Sequence, residues 1–185
     1  MAIHRARIAP SLWFDDEAEE AARFYVRIFP NSRVLRITRY GKEGHDLHGR
    51  PEGSVMTVDF ELDGMPFTAL NGGNLFTFNE AISLQVICDT QAEVDHYWDR
   101  LSSGGDETAL GCGWLKDRCG VSWQILPRGL NELIGDPTCA ASQRAMWAML
   151  RMTKLDLEDL RRAYDRAHDI SDMREPLHHA EQSRS

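Results

Sequence analysis

Apolar residues recur along the chain with two periods, and the switches between those periods mark its elements. Ile8 to Phe14 is a short apolar run. After it Ala18, Ala21, Ala22, Tyr25, Ile28 and Phe29 fall at three- and four-residue spacing, the stripe of a helix laid against a sheet. Asp16 with Glu19 three residues on is a capping pattern for its start, and Pro30-Asn31 ends it. Runs rich in β-branched and aromatic residues then predict strands over Arg33 to Tyr40, Ser54 to Leu62 and Pro66 to Asn71. Asp63-Gly64 joins the last two as a hairpin, and Gly41 to Gly53 reads as a polar loop.

The pattern then restarts. Ala81 to Cys88 is an apolar strand, and Asp89-Thr90 opens a helix with Val94, Tyr97, Trp98 and Leu101 on one face. Weaker strands follow over Glu107 to Leu110, Gly113 to Lys116 and Val121 to Leu126. Strand, helix and three strands thus occur twice, and Ser11-Leu12 aligns with Ser83-Leu84 as a diverged duplication. From Leu130 the period is helical. A turn over Leu130 to Ile134 precedes a segment capped by Thr138, with Ala145, Met146, Met149 and Leu150 inward, and another begun by Asp156 and Asp159, with Leu157, Leu160, Tyr164 and Ala167 inward. The predicted organisation is a domain over 6–128 (module one 6–74, module two 79–128), a helical extension over 129–170 and a disordered tail over 171–185 containing His178 and His179.

Side chains alternate across a strand, so the faces can be assigned. With Leu12 and Phe14 toward the helix, Ser11 and Trp13 look the other way, as do Ser83, Gln85 and Ile87 on the equivalent strand. The same reading puts Phe67, Ala69 and Asn71 on that side of the fourth strand and Ser122, Gln124 and Leu126 on that side of the last. Gln124 stands between Trp123 and Ile125, and a buried amide without partners costs about 1–3 kcal/mol. It either satisfies a neighbour in the core or contacts a ligand. Trp13 and Trp114 are core filler or flat walls for an aromatic ligand. The candidate ligand-binding set is Ser11, Trp13, Phe67, Asn71, Ser83, Gln85, Ser122 and Gln124.

The charge balance, 29 acidic against 21 basic residues for a net −8, argues against a nucleic-acid surface. No apolar run approaches a membrane span, and the polar N-terminus does not read as a signal peptide, so a cytoplasmic protein is expected. Cys88, Cys112, Cys119 and Cys139 lack a CxxC pair and imply neither a zinc site nor a disulfide framework. They read as reduced, mostly buried small hydrophobes, with Cys119 beside Arg118 the alternative reactive thiol. His45 and His48 are solvated loop residues, or metal ligands if their loop folds over the cavity. Arg39, Lys116 and Arg118 are solvated, or admit an anion at the rim.

Two such modules in tandem resemble the vicinal oxygen chelate superfamily. Pro10-x-Leu12-Trp13-Phe14, Ile28-Phe29-Pro30-Asn31-Ser32, Gly53-Ser54-Val55-Met56-Thr57-Val58, Phe67-Thr68-Ala69-Leu70-Asn71-Gly72-Gly73 and Cys112-Gly113-Trp114-Leu115-Lys116-Asp117 look like its PhnB-like branch, which also carries the labels 3-demethylubiquinone-9 3-methyltransferase and glyoxalase-like. The resemblance implies an α+β fold of two βαβββ modules forming a cupped sheet, or half-barrel pair, around one cavity, with C-terminal helices appended, and a homodimer. It puts the superfamily's metal-ligand positions, which carry His, Glu or Gln in metal-dependent relatives, at Ala9, Ala69, Ser83 and Gln124, where one amide and one weak hydroxyl are too few strong donors, so no metal and no cofactor are expected. Methyl transfer is not expected, because the first strand-to-helix turn is Asp15-Asp16-Glu17 where a glycine-rich loop would receive the cofactor. The expected function is binding of a small apolar or aromatic molecule without a metal triad. The alternatives are a glyoxalase- or lyase-type enzyme using an unplaced base or a recruited metal, and a protein-interaction module built on the C-terminal helices.

Overall fold

Module one runs β1 (Ser11–Phe14), α1 (Ala18–Val26), β2 (Arg33–Arg39), a one-turn helix α2 (His45–His48) inside the polar loop, β3 (Val55–Leu62) and β4 (Met65–Asn71). Module two repeats the order with β5 (Leu84–Cys88), α3 (Gln91–Ser102), β6 (Asp106–Gly111), β7 (Trp114–Lys116) and β8 (Ser122–Pro127), and is followed by α4 (Leu130–Ile134), α5 (Ala140–Leu150) and α6 (Leu157–Asp165). These elements belong to a computed structural model that describes residues 7–166. The tail expected over 171–185, with His178 and His179, and Ala167 lie outside the described residues. The sheets are ordered β1-β4-β3-β2 and β5-β8-β7-β6, with β1 parallel to β4 and β5 parallel to β8. The duplication therefore extends to strand pairing. Asp63 and Gly64 both have positive φ, 45° and 78°, as a type I′ hairpin turn requires.

One apolar core holds the modules together. Ala18, Ala21, Ala22 and Tyr25 of α1 and Val94 and Leu101 of α3 are fully buried, as their spacing predicts. The Tyr25 ring lies 6.4 Å from Phe60 of β3 and 5.5 Å from Trp123 of β8. Phe29 stacks on Trp123 at 5.4 Å and on Tyr97 at 5.1 Å. Each large side chain buried in this way contributes about 1.5–3 kcal/mol. The helix-side faces of both sheets thus contribute to the same core. The expected α+β fold of two βαβββ modules with C-terminal helices is thus present, with each four-stranded sheet open rather than closed.

A polar bond crosses this core. Asp117, 2 % exposed, accepts hydrogen bonds from Tyr25 Oη at 2.9 Å and Trp123 Nε1 at 2.7 Å, and from the amides of Cys119 at 2.8 Å and Val121 at 3.1 Å. Burial raises its pKa above the ordinary carboxylate value while the four donors pull it back. The Tyr25 hydroxyl is pushed well above its usual value by burial and by the neighbouring Asp117.

Helix starts match the sequence signals unevenly. Thr90 Oγ1 accepts from Glu93 N at 3.2 Å, and Asp156 Oδ1 accepts from Asp159 N at 2.9 Å, both as expected. Thr138 instead donates to Asp136, and the N-cap of α5 is Cys139. At α1 the expected Asp16 cap is not made, because Ala18 N donates to Asn71 Oδ1 of β4 at 2.8 Å. Asn71 Nδ2 donates to Val55 O at 3.1 Å, so one buried amide joins α1, β3 and β4. Asn71→Ala is expected to cost about 1–2 kcal/mol, the size of a lost N-cap, lowering Tm by about 2–8 °C in a thermal melt.

The extension is clasped to module two. Cys112 N donates to Met152 O at 2.7 Å and Gly113 N to Thr153 O at 2.9 Å. Gln91 at the start of α3 donates to Leu155 O and accepts from Leu157 N. Arg144 closes the α5–α6 pair by donating to the carbonyls of Ala163 and Tyr164 at the end of α6. Leu155, Leu157 and Leu160 are buried, whereas Leu150, expected inward, is 52 % exposed because it sits at the last turn of α5.

Candidate functional site

Strand register decides which candidate side chains share a surface. In module two Gln85 lies opposite Gln124, Ile87 opposite Leu126 and Trp114 opposite Gln124, so they occupy the open face, as alternation predicts. Leu84, Ile125 and Trp123 turn inward. Ser83 precedes β5 and reaches the same face, where Gln124 Nε2 donates to its Oγ at 2.6 Å. Gln85 Nε2 in turn donates to Gln124 Oε1 at 3.3 Å. The result is a polar relay, Gln85 to Gln124 to Ser83, across two parallel strands. Ser122 is 3 % exposed, and its buried Oγ has no hydrogen-bond partner among the described residues, the condition in which a water or ligand atom is expected. Lys116, opposite Ser122 in the register, is ion-paired with Glu80.

Module one differs from the expectation on one strand. Ser11 and Trp13 lie on the open face, and Leu12 and Phe14 are buried. However, β4 pairs with β1 so that Leu12 meets Ala69 and Phe14 meets Asn71. Neighbours in register point to the same side, so Phe67, Ala69 and Asn71 face α1, not the open side. Phe67 stacks on Phe60 at 5.3 Å, and Asn71 is the helix cap described above. The open side of β4 carries Thr68 and Leu70 instead. The structure therefore brings Ser83, Gln85, Ser122 and Gln124 together on one sheet, leaves Ser11 and Trp13 on another, and withdraws Phe67 and Asn71 from both surfaces.

The open face of module one also carries a polar ladder absent from the candidate set. Asp59, 5 % exposed, accepts from Arg36 Nη2 at 2.8 Å and Nε at 3.1 Å and from Thr68 Oγ1 at 2.9 Å, and Thr38 and Thr57 bond across the next rung at 2.6 Å. The alternation Thr57-x-Asp59-x-Glu61, paired with Arg33 and Arg36, is the sequence signal that points to it. Trp13 stands at the end of this face, its Nε1 donating to Gly73 O at 2.7 Å and its ring edge-on to Phe76 at 4.9 Å. Beyond it the α2 loop folds back, with Arg50 paired to Asp15 at 2.8 Å and His48 against Tyr40 at 4.6 Å.

Several reactive-group expectations are resolved by these contacts. Cys119 is no thiolate: burial pushes its thiol up to about 12, as it does for Cys88. Arg118 donates to Ser103 O and lies over Phe24 at 4.6 Å, and Arg39 donates to Gly53 O at 2.9 Å. Neither is an unengaged rim cation.

A family profile described as 3-demethylubiquinone-9 3-methyltransferase matches residues 6–126. The chain belongs to that family, a PhnB-like branch of the vicinal oxygen chelate superfamily. The PhnB protein from Bacillus cereus is 35 % identical, with the match covering 66 % of this PhnB-like chain and 99 % of that protein at a TM-score of 0.57. Protein PA1353 from Pseudomonas aeruginosa is 19 % identical over 66 % of this chain and 97 % of its own, at a TM-score of 0.52, a likeness of fold alone. No curated protein matches the chain.

The superfamily name raises the question of a metal. A resident divalent cation needs several imidazole or carboxylate donors. On the module-two face of this PhnB-like chain the donors are amides and hydroxyls, and Ala69 points into the core. His48 Nδ1 accepts from Arg50 N at 3.0 Å. No three His, Cys, Asp or Glu side chains among the described residues form a group that could hold a metal ion. The donor set does not fit that metal. Nor is any helix among the described residues long and apolar enough to cross a membrane.

Proposed function

We propose that this PhnB-like chain is a small-molecule binding protein that recognises an apolar or aromatic compound through neutral hydrogen bonds. The observation that carries the reading is the relay of Gln85, Gln124 and Ser83 on a sheet surface turned away from the core, because side-chain amides there offer donors and acceptors without charge. The site takes its second wall from another copy of the chain, in a homodimer that sets Ser11 and Trp13 of one protomer against the amides of its partner. Two features support this: β1 and β5 each leave one edge unpaired among the described residues, and Ile82 at 73 % and Phe76 at 61 % exposed flank those edges. The family's methyltransferase description does not extend to the proposal, since Asp15-Asp16-Glu17 occupies the turn between β1 and α1.

An enzyme reading retains one specific support. Asp59 puts a carboxylate on an open face where the sequence alone supplied no base. General-base chemistry requires such a group within hydrogen-bond reach of substrate, and Asp59→Asn tests it by abolishing turnover while leaving ligand capture intact.

Mass-spectrometric identification of small molecules that co-purify with the protein is the direct test of the binding reading. Gln124→Ala removes one neutral donor and one acceptor, worth about 0.5–1.5 kcal/mol each, and is expected to weaken capture of the compound by about fivefold to a hundredfold. Equal recovery from both proteins would refute the assignment of Gln124. Light scattering checks the dimer, and a monomer at micromolar concentration would remove the second wall.

A further inference from the structure

The helical extension lies beyond the family match at residues 6–126, yet it reaches the open face of module two. Leu126, two residues after Gln124 on the same face and opposite Ile87, packs against the cluster of Leu130, Leu155 and Leu160, as Met149 and Met152 also do. Met152 is held in place by the backbone bond that its carbonyl receives from Cys112, and Leu155 fits against Gly113, where an added Cβ would lie 3.1 Å from its Cδ1. Polarity consequently changes in steps along β8. The row of Gln85 and Gln124 is amide, the next row of Ile87 and Leu126 is aliphatic and about 7 Å further on, and Met149 and Met152 pack on the same cluster as Leu126.

We propose that the extension is the apolar end wall of the module-two site, and that the ligand is an elongated amphiphile whose uncharged polar head meets Gln85 and Gln124 and whose apolar tail runs along Ile87 and Leu126 to Met149 and Met152. The assignment rests on the binding reading above and adds to it a substrate class and residues outside the family domain. Methionine suits such a wall, because its unbranched, polarisable side chain adapts to tails of different shape. The 45 % exposure of Ile87 leaves apolar surface for a tail to cover.

The test is displacement of the neutral fluorophore N-phenyl-1-naphthylamine by hexanamide, octanamide and decanamide. Wild type is expected to gain about fourfold in affinity per added methylene, and the nearly isosteric double variant Met149→Gln with Met152→Gln is expected to lose that gain while retaining hexanamide binding. Circular dichroism confirms the fold of the variant, and the wild-type series stands without it. Affinity independent of chain length, with displacement still weakened by Gln124→Ala, would overturn the end wall and leave the binding reading intact. A length dependence unchanged in the double variant would also overturn it. Absence of any amide binding would overturn both.

Discussion

Asp117→Ala is expected to lower stability by about 3–5 kcal/mol, since it strands four donors in or beside the core at about 1–3 kcal/mol for each that water cannot reach. For a chain of this size the loss reads as a fall of about 6–20 °C in Tm. Asp117→Asn is milder. Its amide oxygen still accepts from Cys119 and Val121, but the new NH2 faces Trp123 Nε1, which can only donate. The pH dependence has a definite sign. Burial holds the folded pKa of Asp117 above the unfolded value, so the contribution of this ionisation is complete below the ordinary carboxylate range and is lost as pH rises through the folded pKa. The urea midpoint of wild type minus that of Asp117→Asn should therefore be largest in acid and shrink toward neutrality. A gap that grows toward neutrality would contradict the burial argument.

Gly72→Ala is expected to cost about 2–4 kcal/mol through a different mechanism. An added Cβ would fall 2.2 Å from Trp13 Cζ2, so the indole must leave its place. Overpacking costs about 1–3 kcal/mol, and the bond from Trp13 Nε1 to Gly73 O contributes about 1 kcal/mol more. The connector Gly72-Gly73 thus needs its first glycine for space and its second for backbone conformation, at φ +97°. Tryptophan emission should shift with the displaced ring. Adding Trp13→Leu should restore much of the lost stability, a non-additivity expected only if the two residues collide. If the site includes Trp13, Gly72→Ala also weakens ligand capture, whereas Trp114 on the other sheet is untouched.

Much of the fold was legible because it rests on local periods. The stripe of Ala18, Ala21, Ala22 and Tyr25 could bury only one way, Asp63-Gly64 had one good hairpin geometry, and the restart at Ala81 announced a second module. On β1, β5 and β8 the alternation also identified the correct face, since a wholly apolar set (Leu12 and Phe14; Leu84 and Val86; Trp123 and Ile125) alternates with a set that contains Ser11, Gln85, Ser122 and Gln124. On β4 it failed. Phe67, Ala69 and Asn71 alternate with Thr68 and Leu70, so neither set is plainly the inner one, and hydrophobicity alone leaves the phase undetermined. The Asp16 signal failed for a related reason: a distant amide, Asn71, reached the start of α1 first.

The amino-acid sequence by itself determined the duplicated βαβββ order and the row of amides at Gln85 and Gln124, because those follow from short-range periodicity and from residue chemistry, and its motifs carried the resemblance to the family. Only the tertiary structure decided the phase of β4, the placing of Asp59 with Arg36, and the joining of the modules through Tyr25 and Asp117. Those depend on which strands and helices meet across about twenty to ninety residues of chain, and packing of the whole core sets such encounters where no local pattern can.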